Sequence, residues 1–198
     1  MTEDMVAAAA ARLRAGGVVA FPTDTVTGLG CLARSAEAVR AIFALKGRED
    51  GKPLTLFVAD AAAAEAVTGP LDPRVGALLR LAWPGALTAV LPLTGQWPDG
   101  VGRAGTVGVR VPAHPVPRAL VDLAGGPLAT TSANVSGEAP WRDAAEAAAR
   151  WGEAVLAVPG ASGAVPSTVV DLTAWPPRVL REGAVGADLL AKWIRAAG

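Results

Sequence analysis

Three cations stand within seven residues in the segment LKGREDGKPL, residues 45–54, although the chain has only three lysines. Lys46, Arg48 and Lys52 could surround a polyphosphate, and two glycines would let the backbone approach it. The segment is not a Walker A loop, because its glycine spacing differs and Pro53 stands where Ser or Thr would hold magnesium. Its two acidic residues leave open the alternative of a self-neutralised turn in solvent.

Two other segments are rich in hydroxyl groups and glycine. They are PTDTVTGLG, residues 22–30, and ATTSANVSG, residues 129–137. Hydroxyl and amide groups beside glycines can bind phosphate or carboxylate oxygens while backbone N–H groups come close. Taken alone, each segment is more typical of an ordinary turn.

Two arginines, Arg110 and Arg181, stand at the ends of predicted strands. A guanidinium held by a strand is preorganised for a carboxylate or a phosphate. For an isolated arginine, a salt bridge at the surface is the better interpretation. These arginines therefore become candidates only together with the other segments.

Other kinds of site are disfavoured by the sequence. The lone histidine, His114, has no partners at metal-ligand spacing, so a zinc site is not expected. No serine lies in a G-x-S-x-G elbow, which argues against a Ser-His-Asp hydrolase. Cys31 ends an apolar stretch and is predicted to be buried filler. The six tryptophans are not interleaved with basic residues, as a base-stacking platform would require.

The charge balance excludes some classes of partner. The 18 basic and 18 acidic residues cancel, so nothing global indicates a nucleic-acid or membrane binder. One cysteine cannot form an internal disulfide, and the acidic start MTED is unlike a signal peptide. We expect a cytoplasmic protein in which any basic site is local.

The apolar pattern predicts alternating helices and strands. Ser35 is a candidate N-cap, with Gly47 just past the end of the same helix, and Asp72 with Pro73 marks another helix start. The predicted helices are 5–15, 35–45, 61–67, 73–83, 116–123, 143–151 and 187–197, and the predicted strands are 18–21, 54–58, 87–91, 106–111, 128–130, 155–158, 168–172 and 179–180.

This order of elements favours an α/β or α+β fold, with a mixed sheet covered by helices on both faces. Segments 91–102 and 159–166 each join two strands without a helix, which predicts antiparallel pairing across both. The length and the 52% hydrophobic content predict a single domain over residues 1–198.

Seven segments in one order resemble the YrdC/Sua5 family, the L-threonylcarbamoyladenylate synthases. They run from about residue 16 to 185 and read FPTDTVTGLG, LKGREDGKPL, WPGALTAVL, VGVRVPAHP, TTSANVSG, STVVDL and LREGAV. The resemblance implies a YrdC/RibB-like fold, a twisted mixed sheet with a basic concave cleft. It also implies the short, single-domain form, because longer relatives carry an extra C-terminal domain.

The same resemblance implies a nucleotidyltransferase. L-threonine, bicarbonate or CO2 and ATP would give threonylcarbamoyl-AMP and pyrophosphate, with Mg²⁺ expected on the triphosphate. The product would supply the threonylcarbamoyl group of N6-threonylcarbamoyladenosine at position 37 of tRNA. A threonylcarbamoyl transferase is therefore an implied partner protein, and tRNA is implied as a weakly bound partner. The alternatives are an RNA-binding or ribosome-assembly protein that uses the same cleft, and a carbamoyl-transfer module of a larger enzyme.

The residues implied by the resemblance fall into three groups. Lys46 and Arg48, a K-x-R pair, are the implied catalytic residues, expected to act on the triphosphate and its developing charge. As exposed loop charges they should be removable with loss of most adenylate formation but without loss of the fold. Two residues depart from the family pattern: Thr27 stands where many relatives have an aromatic residue, and Phe57 stands where some have a histidine. We expect the change at Thr27 to reshape a wall of the pocket and the change at Phe57 to remove a histidine contact with the substrate. The implied ATP-binding residues are Arg48, Lys52, Thr106, Ser132, Asn134, Pro140 and Arg181, and the implied threonine-binding residues are Thr25, Arg110, Thr130 and Ser167.

Overall fold

The computed structural model describes residues 3–47 and 52–198. The strands are β1 Val18–Phe21, β2 Gly28–Leu32, β3 Thr55–Phe57, β4 Leu87–Pro92, β5 Thr106–Arg110, β6 Leu128–Ser132, β7 Val155–Ala157, β8 Thr168–Asp171 and β9 Arg178–Arg181. The helices are α1 Glu3–Arg14, α2 Ala36–Lys46, α3 Ala61–Thr68, α4 Pro73–Ala82, α5 Pro115–Ala124, α6 Ala144–Trp151 and α7 Ala187–Ala197, with a 3-10 turn at Gly152–Ala154. None of the helices in these ranges combines the length and the apolar character needed to cross a bilayer.

The nine strands form one mixed sheet in the order β7-β1-β2-β6-β3-β5-β4-β8-β9. Parallel pairing joins β1 to β7, β3 to β5 and β4 to β8, and the other neighbours are antiparallel. The predicted mixed sheet is confirmed, as is the antiparallel pairing of β4 with β5 across segment 91–102.

The pairing predicted across segment 159–166 is wrong. Strand β7 pairs with β1 at one edge of the sheet, whereas β8 pairs with β4 near the other. The connection between them lies against the start of the β1–β2 loop, where the Gly163 amide donates to the Thr23 carbonyl over 3.2 Å. A helix-free connection therefore need not be a hairpin, because it can cross the end of a sheet.

Helices cover both faces of the sheet. Alternate residues of β1 point to opposite sides, so Val18 and Ala20 pack in one buried cluster and Val19 and Phe21 in the other. Helices α2, α3, α4, α6 and α7 contribute to the first cluster, and α1 and α5 to the second. This arrangement confirms the predicted layers.

Helix α2 begins and ends where its capping residues predict. The Ser35 hydroxyl accepts from the amide of Ala38 over 3.2 Å, and Gly47 takes the left-handed conformation with φ of 58°. Asp72 and Pro73 start α4 in the same predictable way. The consequence for function is that α2 stops at Lys46, which places this lysine at the end of the sheet.

Strand β2 is the element that the sequence did not predict. Gly28 and Gly30 were expected in a ligand-binding loop, but they lie in β2, where they pair with Phe21 and Val19 of β1, respectively. A Cβ atom would lie 2.7 Å from the Phe21 ring at Gly28 and 3.0 Å from it at Gly30. These glycines make room for an aromatic ring on the neighbouring strand, as glycine within a strand often does.

Candidate active site

A cavity of about 500 Å³ opens between the β1–β2 loop, the end of α2 and the ends of β3, β6 and β9. It is lined by ten of the twelve site residues that the sequence predicts, which lie up to 156 positions apart in the chain. They are Thr25, Lys46, Lys52, Arg110, Thr130, Ser132, Asn134, Pro140, Ser167 and Arg181.

Two predicted site residues do not join this group. Arg48 lies outside the described residues, so its predicted role stays a prediction. Thr106 begins β5 and is not among the described residues that line the cavity; its hydroxyl donates to the carbonyl of Arg103 over 2.9 Å. The predicted contact of Thr106 with ATP therefore has no support from its position.

Lys46 is buried, with only 3% of its surface exposed. Its ammonium donates to the Ser132 carbonyl over 2.5 Å and to the carbonyl and side-chain oxygens of Asn134 over 2.9 and 2.8 Å. The prediction of an exposed loop charge is wrong, because Lys46 ends a helix and reaches across to the end of β6. Three oxygens of the described residues therefore accept from this ammonium, which carries three protons.

The turn after β6 is held by the side chain of Asn134. Its oxygen accepts from the Ser132 hydroxyl over 2.6 Å as well as from Lys46. Its amide group donates to the carbonyls of Val135 and Glu138, each over 2.8 Å. Lys46, Ser132 and Asn134 thus form one network that fixes the shape of this wall.

Arg110, at the end of β5, is fixed in place by three different partners. Its guanidinium donates to the Gly85 carbonyl over 2.8 Å, to the Thr25 hydroxyl over 2.7 Å and to a carboxylate oxygen of Asp24 over 2.7 Å. Burial lowers the pKa of Arg110, an effect opposed by Asp24 and reinforced by the positive charge of Arg181. The sequence did not single out Asp24 as the partner of this arginine.

Arg181 holds the segment before β8. It donates to the Ser167 carbonyl over 2.8 Å and to the Ser167 hydroxyl over 3.1 Å, and that hydroxyl is 2.8 Å from the hydroxyl of Thr88. Partial burial lowers the pKa of Arg181. Because each guanidinium raises the cost of charging the other, an anion placed between Arg110 and Arg181 would relieve their repulsion.

The charged side chains on the described cavity wall are Lys46, Lys52, Arg110 and Arg181, all of them basic. Among the described residues no cluster of three or more His, Cys, Asp or Glu side chains could hold a metal ion. Magnesium prefers carboxylate, phosphate and water oxygens. The described residues therefore do not fit a magnesium ion bound by protein groups.

The two departures from the resemblance have different positions. Thr27 is buried and is not part of the described cavity wall; its hydroxyl donates to that of Ser162 over 2.9 Å. It therefore does not reshape the wall directly. Phe57 does line the cavity, and its ring centroid is 5.6 Å from the guanidinium carbon of Arg110.

Two other cavity residues, Thr23 and Thr88, could not be recognised from the sequence. Thr23 lies in the recognised hydroxyl-rich segment, but nothing in its spacing distinguished it from its neighbours. Thr88 lies inside an apolar strand, where a threonine usually fills space on the pleated surface. Their contribution depends on strand order, which brings Thr23 and Thr88 to the same cavity although they are 65 positions apart.

Known proteins with similar sequences and structures share this arrangement of elements. The family model for Sua5, YciO and YrdC, described as telomere recombination, matches residues 11–183. A threonylcarbamoyl-AMP synthase of Halorhodospira halophila is 41% identical over 183 residues, which are 91% of this chain and 91% of the relative.

Two solved structures cover almost the whole chain. Pyrococcus abyssi Sua5 complexed with L-threonine has a TM-score of 0.92 and 37% identity, over 98% of this chain. E. coli YciO has a TM-score of 0.85 and 28% identity, over 96% of this chain and 94% of that one. The chain spans 58% of the P. abyssi protein, so the comparison with it concerns only part of that protein.

Proposed function

The chain belongs to the Sua5/YciO/YrdC family, and from this premise we propose that it makes L-threonylcarbamoyl-AMP from L-threonine, bicarbonate or CO2, and ATP, with release of pyrophosphate. Relatives named threonylcarbamoyl-AMP synthase indicate an enzyme of the nucleotidyltransferase type. The observation that carries the proposal is the convergence of two arginines and two hydroxyl-rich segments on one cavity.

We assign the threonine to the end of the cavity formed by Thr25, Arg110, Thr130 and Ser167. Arg110 is held rigidly by Gly85, Thr25 and Asp24, so its guanidinium is preorganised for the α-carboxylate. A solved relative is complexed with L-threonine, which supports an amino-acid site in this fold.

We assign the nucleotide to the opposite end, beside Ser132, Asn134 and Pro140. Arg48, Lys52 and Arg181 are the cations proposed for the triphosphate, and of these Lys52 is exposed to solvent at the cavity mouth. Lys46 receives a different role from the one first expected. Because its ammonium holds the turn after β6, it acts on ATP through the position of that turn.

The chemistry requires two anions to meet. The amine nitrogen of threonine attacks the carbon of CO2, forming a C–N bond and a carbamate and releasing a proton. A carbamate oxygen then attacks the α-phosphorus of ATP, and the bond to the pyrophosphate oxygen breaks. Charge neutralisation should dominate catalysis of this second step, and Arg110 and Arg181 are the residues we propose to supply it.

Magnesium enters this proposal only as an ion carried by the triphosphate. It would neutralise part of the phosphate charge, as Mg²⁺ does when bound through substrate phosphates and water. The described residues offer it no carboxylate cluster.

We also propose that a second enzyme uses the product of this reaction. Threonylcarbamoyl-AMP would be consumed by a transferase that modifies adenosine 37 of tRNA, which places the reaction in the cytoplasm. The continuous nine-stranded sheet supports the proposal that residues 1–198 form one YrdC-like domain with a motif core at about 16–185.

A crystal structure with L-threonine and a non-hydrolysable ATP analogue would test these assignments. We expect the amino acid beside Thr25 and Arg110 and the nucleotide beside Ser132. Density for both ligands outside the cavity, or for neither at saturating concentrations, would refute the assignments.

A further inference from the structure

The hydroxyl group of Thr25 is an acceptor on the cavity wall whose own proton goes to another protein hydroxyl, that of Thr23. This follows from a chain of hydrogen bonds that begins at Thr23, a residue to which no role has been assigned above. Thr23 is 1% exposed and Thr25 is 2% exposed, and both line the cavity.

The direction of each hydrogen bond is fixed by the chemistry of its partners. The Thr23 hydroxyl lies 2.7 Å from the carbonyl oxygen of Val26, which can only accept, so Thr23 gives its proton to Val26. The Thr23 oxygen also accepts from the Thr25 amide over 3.0 Å. In the 3.1 Å contact between the two hydroxyls, Thr25 must therefore be the donor.

The remaining capacity of the Thr25 oxygen can then be counted. A threonine hydroxyl has one proton and two acceptor positions. Its proton goes to Thr23, and one acceptor position is filled by Arg110, which donates over 2.7 Å. One acceptor position is left for a ligand, and no donor.

We propose that Thr23 orients Thr25 as an acceptor that recognises the β-hydroxyl of L-threonine by its O–H proton. This inference rests on the proposed function. A carboxylate or phosphate oxygen cannot be bound by this hydroxyl, because both would present only lone pairs to it. We therefore assign the α-carboxylate of the substrate to Arg110. The Thr25 hydroxyl can then accept only from a donor group of the substrate.

The substrate has two donors, its ammonium group and its β-hydroxyl. An acceptor placed on the nitrogen would stabilise the protonated amine, which has no lone pair with which to attack CO2. An acceptor placed on the β-hydroxyl has no such effect on the reaction. It also distinguishes threonine from amino acids of the same size that lack this group, since a site built for a substrate hydroxyl leaves its own polar atom unpaired with the analogue.

The test compares L-threonine with 2-amino-3-fluorobutyrate of matching stereochemistry, in which fluorine replaces the hydroxyl and the donor is lost. Both dissociation constants are measured by calorimetry on the full chain with a saturating non-hydrolysable ATP analogue. We expect the wild-type protein to prefer threonine about ten- to a hundredfold, the range of a lost hydrogen bond that leaves a buried partner unpaired.

Variants separate the positioning residue from a general effect on the fold. Thr25→Val should bring the preference close to one. Thr23→Val frees the Thr25 proton to point at the ligand and should lower the preference at least threefold, whereas Thr23→Ser keeps the hydroxyl and should restore it. Thr68→Val is the matched control: Thr68 is also buried and donates to a carbonyl, but it lies outside the described cavity wall, so the preference should not change.

Several results would overturn the inference. They are a wild-type preference near one, an unchanged preference in Thr23→Val, or no binding of L-threonine at all. Loss of affinity for both ligands by the same factor in Thr23→Val would also overturn it, because loosening of the loop does not depend on the donor. A wild-type protein that shows the preference but forms no adenylate would refute the proposed function alone.

Discussion

The ammonium nitrogen of Lys46 lies 2.8 Å from the side-chain oxygen of Asn134, although the residues are 88 positions apart. This contact joins the end of α2 to the turn after β6, the two segments that the resemblance assigns to ATP. It makes the lysine part of the framework of the cavity, since a buried ammonium is stable only where oxygen atoms surround it.

Replacing Lys46 by Met should destabilise the ligand-free protein. The change removes the ammonium that donates to the Ser132 carbonyl and to both Asn134 oxygens in a buried site, which should cost about 2–4 kcal/mol of unfolding free energy. Urea denaturation monitored by circular dichroism measures this loss of unfolding free energy. Lys192→Met is the matched control, because Lys192 is exposed on α7 and its loss should change stability by less than about 0.5 kcal/mol.

The same network predicts non-additive effects. Asn134→Ala should also destabilise the protein, and the double variant with Lys46→Met should cost clearly less than the sum of the two single changes. If the costs simply added, Lys46 and Asn134 would be energetically independent and the framework role of the lysine would be wrong.

Asp24→Asn should weaken the use of threonine more than the use of ATP. The amide keeps the shape of the carboxylate but removes the charge that is 2.7 Å from Arg110, so the guanidinium loses one of its fixed partners. We expect KM for threonine to rise about tenfold, the cost of one charge-assisted hydrogen bond, with KM for ATP within twofold.

A control for that variant is Asp171→Asn, which removes the ion pair with the exposed Arg178. Steady-state pyrophosphate release at varied threonine and varied ATP gives both constants. Equal increases in the two KM values for Asp24→Asn would show that the ion pair does not act on the threonine end.

Gly28→Ala should destabilise the fold by roughly 1–3 kcal/mol, because overpacking strains a filled core. The new Cβ would lie 2.7 Å from the ring of Phe21, which has no free space to move into. Gly126→Ala is the control, since its Cβ would have no heavy atom within 4 Å. Thermal unfolding of both variants tests this prediction, and we expect the lower melting temperature for Gly28→Ala. Equal melting temperatures would contradict the explanation given for the glycines of β2.

Burial raises the pKa of the Cys31 thiol to about 12. In the unfolded chain the thiol titrates near pH 8.5, so above that pH the unfolded state loses a proton that the folded state keeps. Its contribution to stability is complete below about pH 8.5 and is lost as the pH rises toward 12. The unfolding free energy should fall between pH 8 and 10.5 by about 2 kcal/mol more in the wild-type protein than in Cys31→Ala.

Parallel pH profiles for the two proteins would contradict the burial of this thiol. The comparison is clean because the chain has no tyrosine, whose titration would otherwise overlap this range. The lysines are common to both proteins and cancel.

Local signals in the sequence predicted the elements, and the motif order predicted the site. Ser35, Gly47, Asp72 and Pro73 set helix ends through hydrogen bonds within a few residues, so their effect is readable without the fold. Strand β2 was missed because two glycines in a short apolar run are typical of a loop. The Phe21 ring on the neighbouring strand, which leaves no room for a Cβ atom at either glycine, becomes apparent only in the fold.

The environment of the site residues could not be read in the same way. The burial of Lys46 and the pairing of Arg110 with Asp24 join residues more than 80 positions apart, and the strand order decides both. The sequence could name these side chains as chemical groups, but a lysine that holds a turn and one that contacts phosphate have the same local pattern.

The central claim is tested most directly by incubating the purified protein with ATP, L-threonine and ¹⁴C-bicarbonate and separating the products by chromatography. The account predicts a labelled adenylate and pyrophosphate in equal amounts, both of which require threonine. Absence of a threonine-dependent labelled adenylate from a folded preparation that binds ATP would contradict it.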